Sequence, residues 1–334
     1  MRRLIFLVVL ISGFSFLAWR PALATFSIVA YDPETGQFGA AVTSRAIAVG
    51  NRVSWVRAGV GAVCTQASTN AAWGPRALDL LEKGTSPEEV AAELVAQDDH
   101  PDSRQLGIID KHGRSAGWRG KWNPSYAGIM RGENYQVQGN ILDGEQVLKA
   151  MGEAFTNTEG ELVHRLISAL EAGMKAGGDA RGRQSAALLV SGTEPDRYGY
   201  VHHLWDIRVD EYPYPVREVR RIYRYNKAME KVWAVRAEDP NEAVKELDKI
   251  AAEYPEQALV HYRRACYLSL AGRIDESVFA LVHCLRLHPT YTLGAGNSVR
   301  LEKRMKEVWA RLYRMGPESL GLQLPDYKGL YARE

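Results

Sequence analysis

Thr25 holds the position in this 334-residue chain that most directly suggests chemistry. The three residues before it, Ala22-Leu23-Ala24, match the small-x-small pattern after which exported proteins are cleaved. Cleavage there would make Thr25 the first residue, with a free α-amine beside its own hydroxyl. An α-amine has an ordinary pKa of about 8, so it can accept the hydroxyl proton directly or through one water. The position predicts a threonine nucleophile that carries its own base; the alternative is an ordinary strand residue.

Residues 1–24 have the three parts of a secretory signal peptide. Two arginines precede an apolar run from Leu4 to Trp19, and the small-residue end follows. A membrane-spanning helix needs about 20 apolar residues, so a retained membrane anchor is the alternative, and Thr25 would then have no free amine. We predict an exported protein, periplasmic or extracellular, that contacts the membrane only if the leader is retained.

The charge balance excludes a surface for nucleic acid. Lys and Arg number 42 against 40 for Asp and Glu, which gives a net charge of +2. Three of the arginines lie in residues 1–24, which contain no acidic residue, so the remainder has a net charge of −1. Proteins that bind DNA or RNA need a basic surface, and the remainder has no excess of positive charge to form one.

The histidines and cysteines fit no metal-binding motif, and no glycine-rich nucleotide motif occurs. We therefore predict neither a metal nor a cofactor. Cys64, Cys266 and Cys284 cannot all pair with one another. We expect buried, apolar cysteines, and a disulfide between Cys266 and Cys284 is the alternative.

The elements that would position Thr25 alternate between strands and pairs of helices. Strand patterns cover residues 25–31, 38–44, 53–57, 60–66, 106–110, 114–118, 185–190 and 200–209. Helical patterns cover residues 75–83, 86–97, 145–155 and 161–175. This order predicts an α+β fold in which sheets are covered by layers of helices.

The chain beyond the acidic, proline-containing segment 210–215 is helical and repeats itself. Five pairs of positions lie 34 residues apart: Glu242 and Glu276, Ala243 and Ser277, Val244 and Val278, Leu247 and Leu281, Pro255 and Pro289. Tetratricopeptide (TPR) helix pairs have this period, so we predict a small all-α TPR-like domain over residues 216–312, followed by a tail over 313–334. Such repeats bind a protein or peptide partner, or a second copy of the chain.

Six blocks in order across about residues 25–210 carry a family pattern. They cover residues 25–30, 41–45, 57–67, 104–110, 139–142 and 177–188. The blocks resemble the DUF1028 family, which gives a family domain over residues 25–212. The resemblance implies the four-layer αββα sandwich of the N-terminal-nucleophile (Ntn) hydrolase superfamily, in agreement with the layers above, and Thr25 as the candidate nucleophile.

We therefore expect an exported amidohydrolase that cleaves the C–N bond of a small-molecule or peptide amide. The alternative is an exported binding or scaffold protein that keeps the fold without turnover. Such a site needs a cation near the amine and donors for the oxyanion. For these roles we predict Arg57 and Asn140, the latter in a Gly-Asn turn.

Six further residues are candidates for binding or orienting the substrate. They are Thr43, Ser44, Gln66, Arg104, Asp179 and Arg181. Thr43 and Ser44 end the second predicted strand, and Gln66 ends another. Asp179 and Arg181 lie in the glycine-rich segment 177–182, where the alternative is a structural pair that holds a tight turn.

Overall fold

The computed structural model describes residues 25–123, 126–194, 203–289 and 299–322, and the predicted leader lies outside these ranges. The chain divides into two compact units, Met1–Val219 and Arg220–Glu334. Within the described ranges it forms ten strands and nine α-helices. In this part of the chain, no helix has both the length and the apolar character needed to cross a membrane.

The first unit is a mixed α/β structure. Its strands are β1 (Thr25–Asp32), β2 (Gln37–Ser44), β3 (Ser54–Arg57), β4 (Gly61–Ala67), β5 (Arg104–Asp110), β6 (Ser115–Arg119), β7 (Tyr126–Gly132), β8 (Tyr135–Leu142), β9 (Ser185–Ser191) and β10 (His203–Val209). Its helices are α1 (Trp73–Glu82), α2 (Pro87–Ala96), α3 (Gln146–Asn157) and α4 (Leu162–Lys175).

The strands form two antiparallel sheets that share a core. The large sheet has the order β10-β9-β2-β1-β8-β7, and the small sheet has the order β3-β4-β5-β6. One cluster joins Val29 and Val42 of the large sheet to Cys64 and Ile109 of the small sheet. The two sheets therefore pack against each other through side chains that alternate along each strand.

Helices cover the other face of each sheet. The small sheet packs on α1 and α2 through a cluster that includes Val63, Leu78 and Leu94. On the large sheet, a Cβ at Gly39 would lie 2.4 Å from Leu166 of α4, so the helix packs directly on the strand backbone. The second helix, α2, opens with the expected capping box, in which the Ser86 hydroxyl accepts from the Glu89 amide and the Glu89 carboxylate accepts from the Ser86 amide.

A hairpin of β7 and β8 joins the large sheet where the sequence predicts no strand. The predicted turn at Gly139 and Asn140 is wrong, because both residues lie in β8, which pairs with β1. Polar residues alternate along β8 at Gln136, Gln138 and Asn140 and are buried, so the strand lacks the apolar alternation that normally reveals one.

The second unit is helical. Its helices are α5 (Pro215–Ala234), which crosses the division between the units, α6 (Pro240–Glu253), α7 (Ala258–Leu270), α8 (Ile274–Leu287) and α9 (Val299–Arg314). Helices α6 and α8 each have 14 residues and begin 34 residues apart. The paired positions Leu247 and Leu281 are both fully buried.

All three cysteines are buried free thiols. Cys266 and Cys284 lie in one core of the helical unit without a disulfide, so the alternative of a bond between them is wrong for this structure. Burial raises the pKa of Cys266 to about 11 and that of Cys284 to about 12.

Candidate functional site

Thr25 begins β1 and lies between two polar residues on the neighbouring strands. Its register partners are Ser44 on β2 and Asn140 on β8. The hydroxyls of Thr25 and Ser44 are 3.0 Å apart and hydrogen-bonded. Thr25 is only 3% exposed. Because directly opposite residues share a face of the sheet, the three side chains lie together at one end of the large sheet.

The alternation of β1 turns Thr25 toward the small sheet. Phe26 faces the other way, since a Cβ at Gly173 of α4 would lie 3.0 Å from its ring. Ser27, two residues after Thr25, donates to Gln66 Oε1 on β4 at 2.7 Å. Gln66 Nε2 in turn donates to the carbonyl oxygen of Thr25 at 3.2 Å. The candidate nucleophile is therefore held from both sheets.

A polar layer fills the space between the two sheets at this end. Every member is at most 3% exposed and uncharged; the members are Thr25, Ser27, Ser44, Gln66, Gln105, Gln136, Gln138 and Asn140. Buried polar groups are costly unless they are hydrogen-bonded. The hydrogen bonds of this layer therefore determine how each amide is oriented.

Gln105 of β5 is the centre of the layer. Its Oε1 accepts from Gln66 Nε2 at 2.8 Å and from Asn140 Nδ2 at 2.9 Å. Its Nε2 donates to the carbonyl oxygens of Gly139 and Gly128 at 2.9 and 3.0 Å. Gln105 thus connects the small sheet to the strand that carries Asn140.

The layer continues away from Thr25 along β8. Gln138 Nε2 donates to the Ser27 hydroxyl at 2.6 Å, and Gln136 Nε2 donates to Gln138 Oε1 at 3.1 Å. A Cβ at Gly107 of β5 would collide with the amide of Gln138, which its hydrogen bonds to Ser27 and Gln136 hold in place, so glycine at this position leaves room for that amide. The sequence predicts none of Ser27, Gln105, Gln136 and Gln138 as site residues. The sequence feature that could have revealed them is a polar residue at every second position of a strand, as at Gln136, Gln138 and Asn140 of β8.

Asn140 offers an acceptor where the sequence predicts a donor. Its Nδ2 bonds to Gln105, whereas its Oδ1 is buried and has no hydrogen-bond partner among the described residues. A buried acceptor left unpaired costs about 1–3 kcal/mol. Such atoms are rare in folded proteins and often belong to functional groups.

Backbone strain lies next to the polar layer. Ile141 follows Asn140 with φ at 52°, and Ala67 follows Gln66 with φ at 68°. Left-handed backbone costs a non-glycine residue about 1–2 kcal/mol, and a β-branched residue such as isoleucine rarely adopts it. Strain of this kind concentrates at functional sites, which supports a functional role for this end of the sheets.

Asp179 ties the glycine-rich segment 177–182 to the end of β2. Its Oδ1 accepts from the Arg181 backbone and Nε at 2.9 and 3.2 Å. Its Oδ2 accepts from the backbone amide of Arg45, which follows Ser44, and from Arg181 Nη2, at 2.9 and 3.0 Å. The Asp179 side chain is 1% exposed. These contacts support the structural alternative, in which the pair fixes the loop beside Ser44.

Thr43 lies on the opposite face of the large sheet from Thr25. It pairs with Phe26, and its hydroxyl donates to the carbonyl oxygen of Ser185 at 2.9 Å. Since successive side chains of a strand point to opposite faces, only Ser44 of this pair reaches the polar layer. The expectation that Thr43 orients a substrate at Thr25 is therefore corrected.

Arg57 lies at the far end of the small sheet. It pairs with Gly61, which is five residues before Gln66 on β4, a separation of about 17 Å. Its guanidinium forms ion pairs with Asp79 and Glu82 of α1 at 2.8 and 2.7 Å. The predicted place of Arg57 beside the amine is therefore corrected.

Arg104 also faces away from the polar layer. Its Nε donates to both carboxylate oxygens of Asp98 at 3.1 and 3.2 Å, and Asp98 is only 2% exposed at its side chain. The next residue, Gln105, points into the layer instead. Arg104 therefore anchors the start of β5 instead of contacting the candidate site.

Three other features of the described residues were candidates for a site: the thiol of Cys64, a metal-binding cluster and a surface cavity. Burial raises the pKa of Cys64 to about 12, so its thiol, although near Ser27, is not a nucleophile at neutral pH. The described residues hold no group of three or more His, Cys, Asp or Glu side chains arranged to bind a metal. A cavity of about 610 Å³ that includes Asp32 and Tyr135 lies at the other end of β1 from Thr25.

More than half of the chain matches a protein-family model. The model of DUF1028, described as a family of unknown function, matches residues 25–219. The crystal structure of a DUF1028 protein from Silicibacter pomeroyi is similar, with 33% identity and a TM-score of 0.56, over 62% of this chain and 86% of that chain. Anbu, an ancestral β-subunit from Yersinia bercovieri, matches with 10% identity and a TM-score of 0.29 over 64% of this chain and 98% of its own, which supports no conclusion. No curated protein matches the sequence.

Proposed function

This chain belongs to the DUF1028 family, and from the surroundings of Thr25 we propose that it is an exported amidohydrolase of the Ntn type. The observation that carries the proposal is the Thr25 hydroxyl, hydrogen-bonded to Ser44 at the start of β1 within a buried, uncharged polar layer. The pattern at Ala22-Leu23-Ala24 supplies the cut that frees the α-amine of Thr25. The two sheets that share a core, with helices on their other faces, support the four-layer αββα arrangement.

The reaction uses Thr25 twice. Its Oγ1 attacks the amide carbonyl carbon while its proton passes to the α-amine, directly or through one water. The C–N bond then breaks, the leaving amine takes that proton, and an acyl ester remains on Thr25. A water molecule, activated by the same amine, hydrolyses the ester and restores the hydroxyl.

The uncharged polar layer has a consequence for the base. A general base must be neutral near the working pH, and an α-amine with a pKa of about 8 is mostly protonated below that value. Burial disfavours the charged ammonium and so lowers the pKa of the amine. This desolvation replaces the cation that the sequence predicts at Arg57, and it brings the base into its active form near neutral pH.

We also propose where the protein acts and what its second unit does. Residues 1–24 direct export to the periplasm or beyond and are removed, and retention of the leader as an anchor would leave Thr25 without its amine. The second unit is TPR-like, as the 34-residue offset of α6 and α8 suggests. It holds a protein or peptide partner, or a second copy of the chain.

Covalent labelling tests the catalytic proposal. The chain that begins at Thr25 is treated with a β-lactone probe, and the modified residue is located by peptide mass spectrometry. We expect labelling on Thr25, none in the Thr25→Ala variant, and normal labelling in Thr156→Ala, which removes an exposed threonine hydroxyl. Equal labelling of wild type and Thr25→Ala would favour the alternative, a binding or scaffold protein without turnover.

A further inference from the structure

Asn140 Oδ1 is a buried acceptor that the uncut chain leaves unpaired. Asn140 is 1% exposed, and its Oδ1 has no hydrogen-bond partner among the described residues. Asn140 lies directly opposite Thr25 in the register of β1 and β8. An acceptor kept at a cost of about 1–3 kcal/mol beside the candidate nucleophile indicates that a donor reaches it in another state of the protein.

The polar layer determines which atom of Asn140 is left over. Gln105 Nε2 faces the carbonyl oxygens of Gly128 and Gly139, which only accept hydrogen bonds. Gln105 Oε1 must then point toward Asn140 and Gln66, so Asn140 turns its Nδ2 donor to it. Exchanging the two ends of the Asn140 amide would bring two oxygens together. Oδ1 is therefore held on the far side of the amide by the network itself.

We infer that the freed α-amine of Thr25 donates a hydrogen bond to Asn140 Oδ1, which makes Asn140 the residue that positions the catalytic base. This inference rests on the proposed function, because the amine exists only after the cut. The Thr25 nitrogen carries one hydrogen in the uncut chain and two as a neutral amine. One N–H then bonds to Asn140, and the lone pair remains free to take the hydroxyl proton.

The register brings the two groups within reach. Directly opposite residues of an antiparallel pair have Cβ atoms about 4.5–5.5 Å apart and on the same face. Ser44 holds the Thr25 hydroxyl at 3.0 Å from the β2 side, and Asn140 stands on the β8 side. Ser44 on one neighbouring strand thus holds the hydroxyl of Thr25, and Asn140 on the other holds its amine.

An amide oxygen suits this role better than a carboxylate. A carboxylate beside the amine would stabilise the protonated ammonium and raise its pKa, which removes the base at neutral pH. The neutral oxygen of Asn140 orients the amine without that charge. This difference makes Asn140→Asp a sensitive test, because it keeps the size of the side chain and an acceptor oxygen toward Thr25, replaces the Nδ2 donor that faces Gln105 and adds a negative charge.

The test compares Asn140→Asp and Asn140→Leu in the mature chain that begins at Thr25. The pKa of the α-amine is read from the Thr25 ¹³Cα shift against pH, in protein labelled with ¹³C-threonine. We expect Asn140→Asp to raise the pKa by about one unit or more and to move β-lactone labelling to higher pH while retaining it. Asn140→Leu should slow labelling about 10- to 100-fold at every pH. Asn157→Asp, at the exposed end of α3, should change neither quantity.

The outcomes separate the inference from the proposed function. Suppose that wild type is labelled at Thr25, that Asn140→Asp leaves the pKa of the amine within roughly 0.2 units of wild type, and that Asn140→Leu is labelled at the normal rate. The inference about Asn140 is then overturned, and the proposed function stands. If the pKa moves as expected but wild type does not label, the contact stands and the function fails. Should Asn140→Leu not fold, Asn140→Ser takes its place in the labelling experiment, with the same expected slowing.

Discussion

Gln105 shows how a single buried amide fixes its neighbours, because all of its hydrogen-bonding groups are used. Its oxygen accepts two bonds and its nitrogen donates two. Gln66 and Asn140, which contact or face Thr25, both depend on that oxygen. The side chains of the candidate site are therefore oriented by hydrogen bonds. None of the eight members of the polar layer is charged.

We expect Gln105→Leu to lower the free energy of unfolding by about 3 kcal/mol, because it leaves the Asn140 Nδ2 donor without its acceptor and removes the side-chain donor of two buried backbone carbonyls. Gln146→Leu, a change at an exposed glutamine, should stay within about 0.5 kcal/mol of wild type. Urea denaturation followed by fluorescence measures both. A loss under 1 kcal/mol (the lower limit of about 1–3 for one unpaired buried group) in Gln105→Leu would contradict the described network.

Arg57→Ala separates the sequence expectation from the structure. The structure places Arg57 in ion pairs with Asp79 and Glu82, whose side chains are 58% and 59% exposed. Exposed pairs contribute little, so we expect a loss of about 1 kcal/mol in stability and an unchanged rate of labelling at Thr25. A rate reduced tenfold or more (about 1.4 kcal/mol in the barrier) would restore the catalytic role that the sequence predicts.

Four members of the polar layer are predicted from the sequence as candidate site residues. Thr25 is predicted because a cleavage pattern precedes it, and Ser44, Gln66 and Asn140 because they lie in blocks that resemble a family. Gln105 is passed over in favour of its neighbour Arg104, since charge is easier to associate with function than a neutral amide. Which of two adjacent residues points inward depends on strand register, and a single sequence does not reveal it where polar residues fill the interior.

The two strands beside Thr25 determine which side chains it can contact. Strand β8 brings Asn140 to it and β2 brings Ser44. The strand β2 is found from its small apolar residues, whereas β8 is missed because its inward positions are glutamine and asparagine. Helix α2 is found in full, since its capping box is a local signal that needs no tertiary context.

Asp98 and Arg104 join the end of α2 to the start of β5 and give this region a pH dependence. Burial opposes ionisation of Asp98, but hydrogen bonds from Asn70, the His100 amide and Arg104 outweigh it and hold the pKa of the carboxyl below its ordinary value. A carboxyl whose pKa is lower in the folded state stabilises the fold above its ordinary pKa. That contribution is lost as the pH falls through the folded value.

We therefore expect Asp98→Asn to cost about 2 kcal/mol of stability at pH 7, since it removes the charged acceptor of a partly buried pair. The gap between wild type and variant should begin to narrow as the pH falls below about 4, because Asp98 then binds a proton in the unfolded chain, and it should keep narrowing until the pH is below the lowered pKa of the folded state. Denaturant unfolding at pH 7 and pH 3 measures the gap at each pH. A gap that widens toward low pH would mean that the carboxyl is not stabilised in its charged form.

Each of the two units has a hydrophobic core of its own. The sheets of the first unit bury Val29, Cys64 and Ile109 together, and the helices of the second bury Leu281, Leu285 and Trp309. The 34-residue repeat of the sequence is visible in the structure as two helices of equal length at that offset. A repeat period can be predicted from the spacing of residues in the sequence alone, whereas the contacts of individual side chains cannot.

We expect Leu281→Ala to lower the stability of the helical unit by about 2–5 kcal/mol, because Leu281 is fully buried in its core. Labelling at Thr25 should be unchanged below the temperature at which this unit unfolds. Calorimetry with parallel β-lactone labelling checks both. A proportional loss of labelling in the folded variant would instead tie the chemistry at Thr25 to the integrity of the helices.

If the α-amine of Thr25 serves as the base for its own hydroxyl, two chains that differ by one residue should differ in reactivity. One begins at Thr25 and the other at Ala24, so both keep the hydroxyl and only the first has the amine beside it. With matching unfolding curves as the control, we expect β-lactone labelling of Thr25 in the first chain and a rate at least about 100-fold lower in the second, in line with the loss of a general base. Equal rates in the two chains would contradict the account.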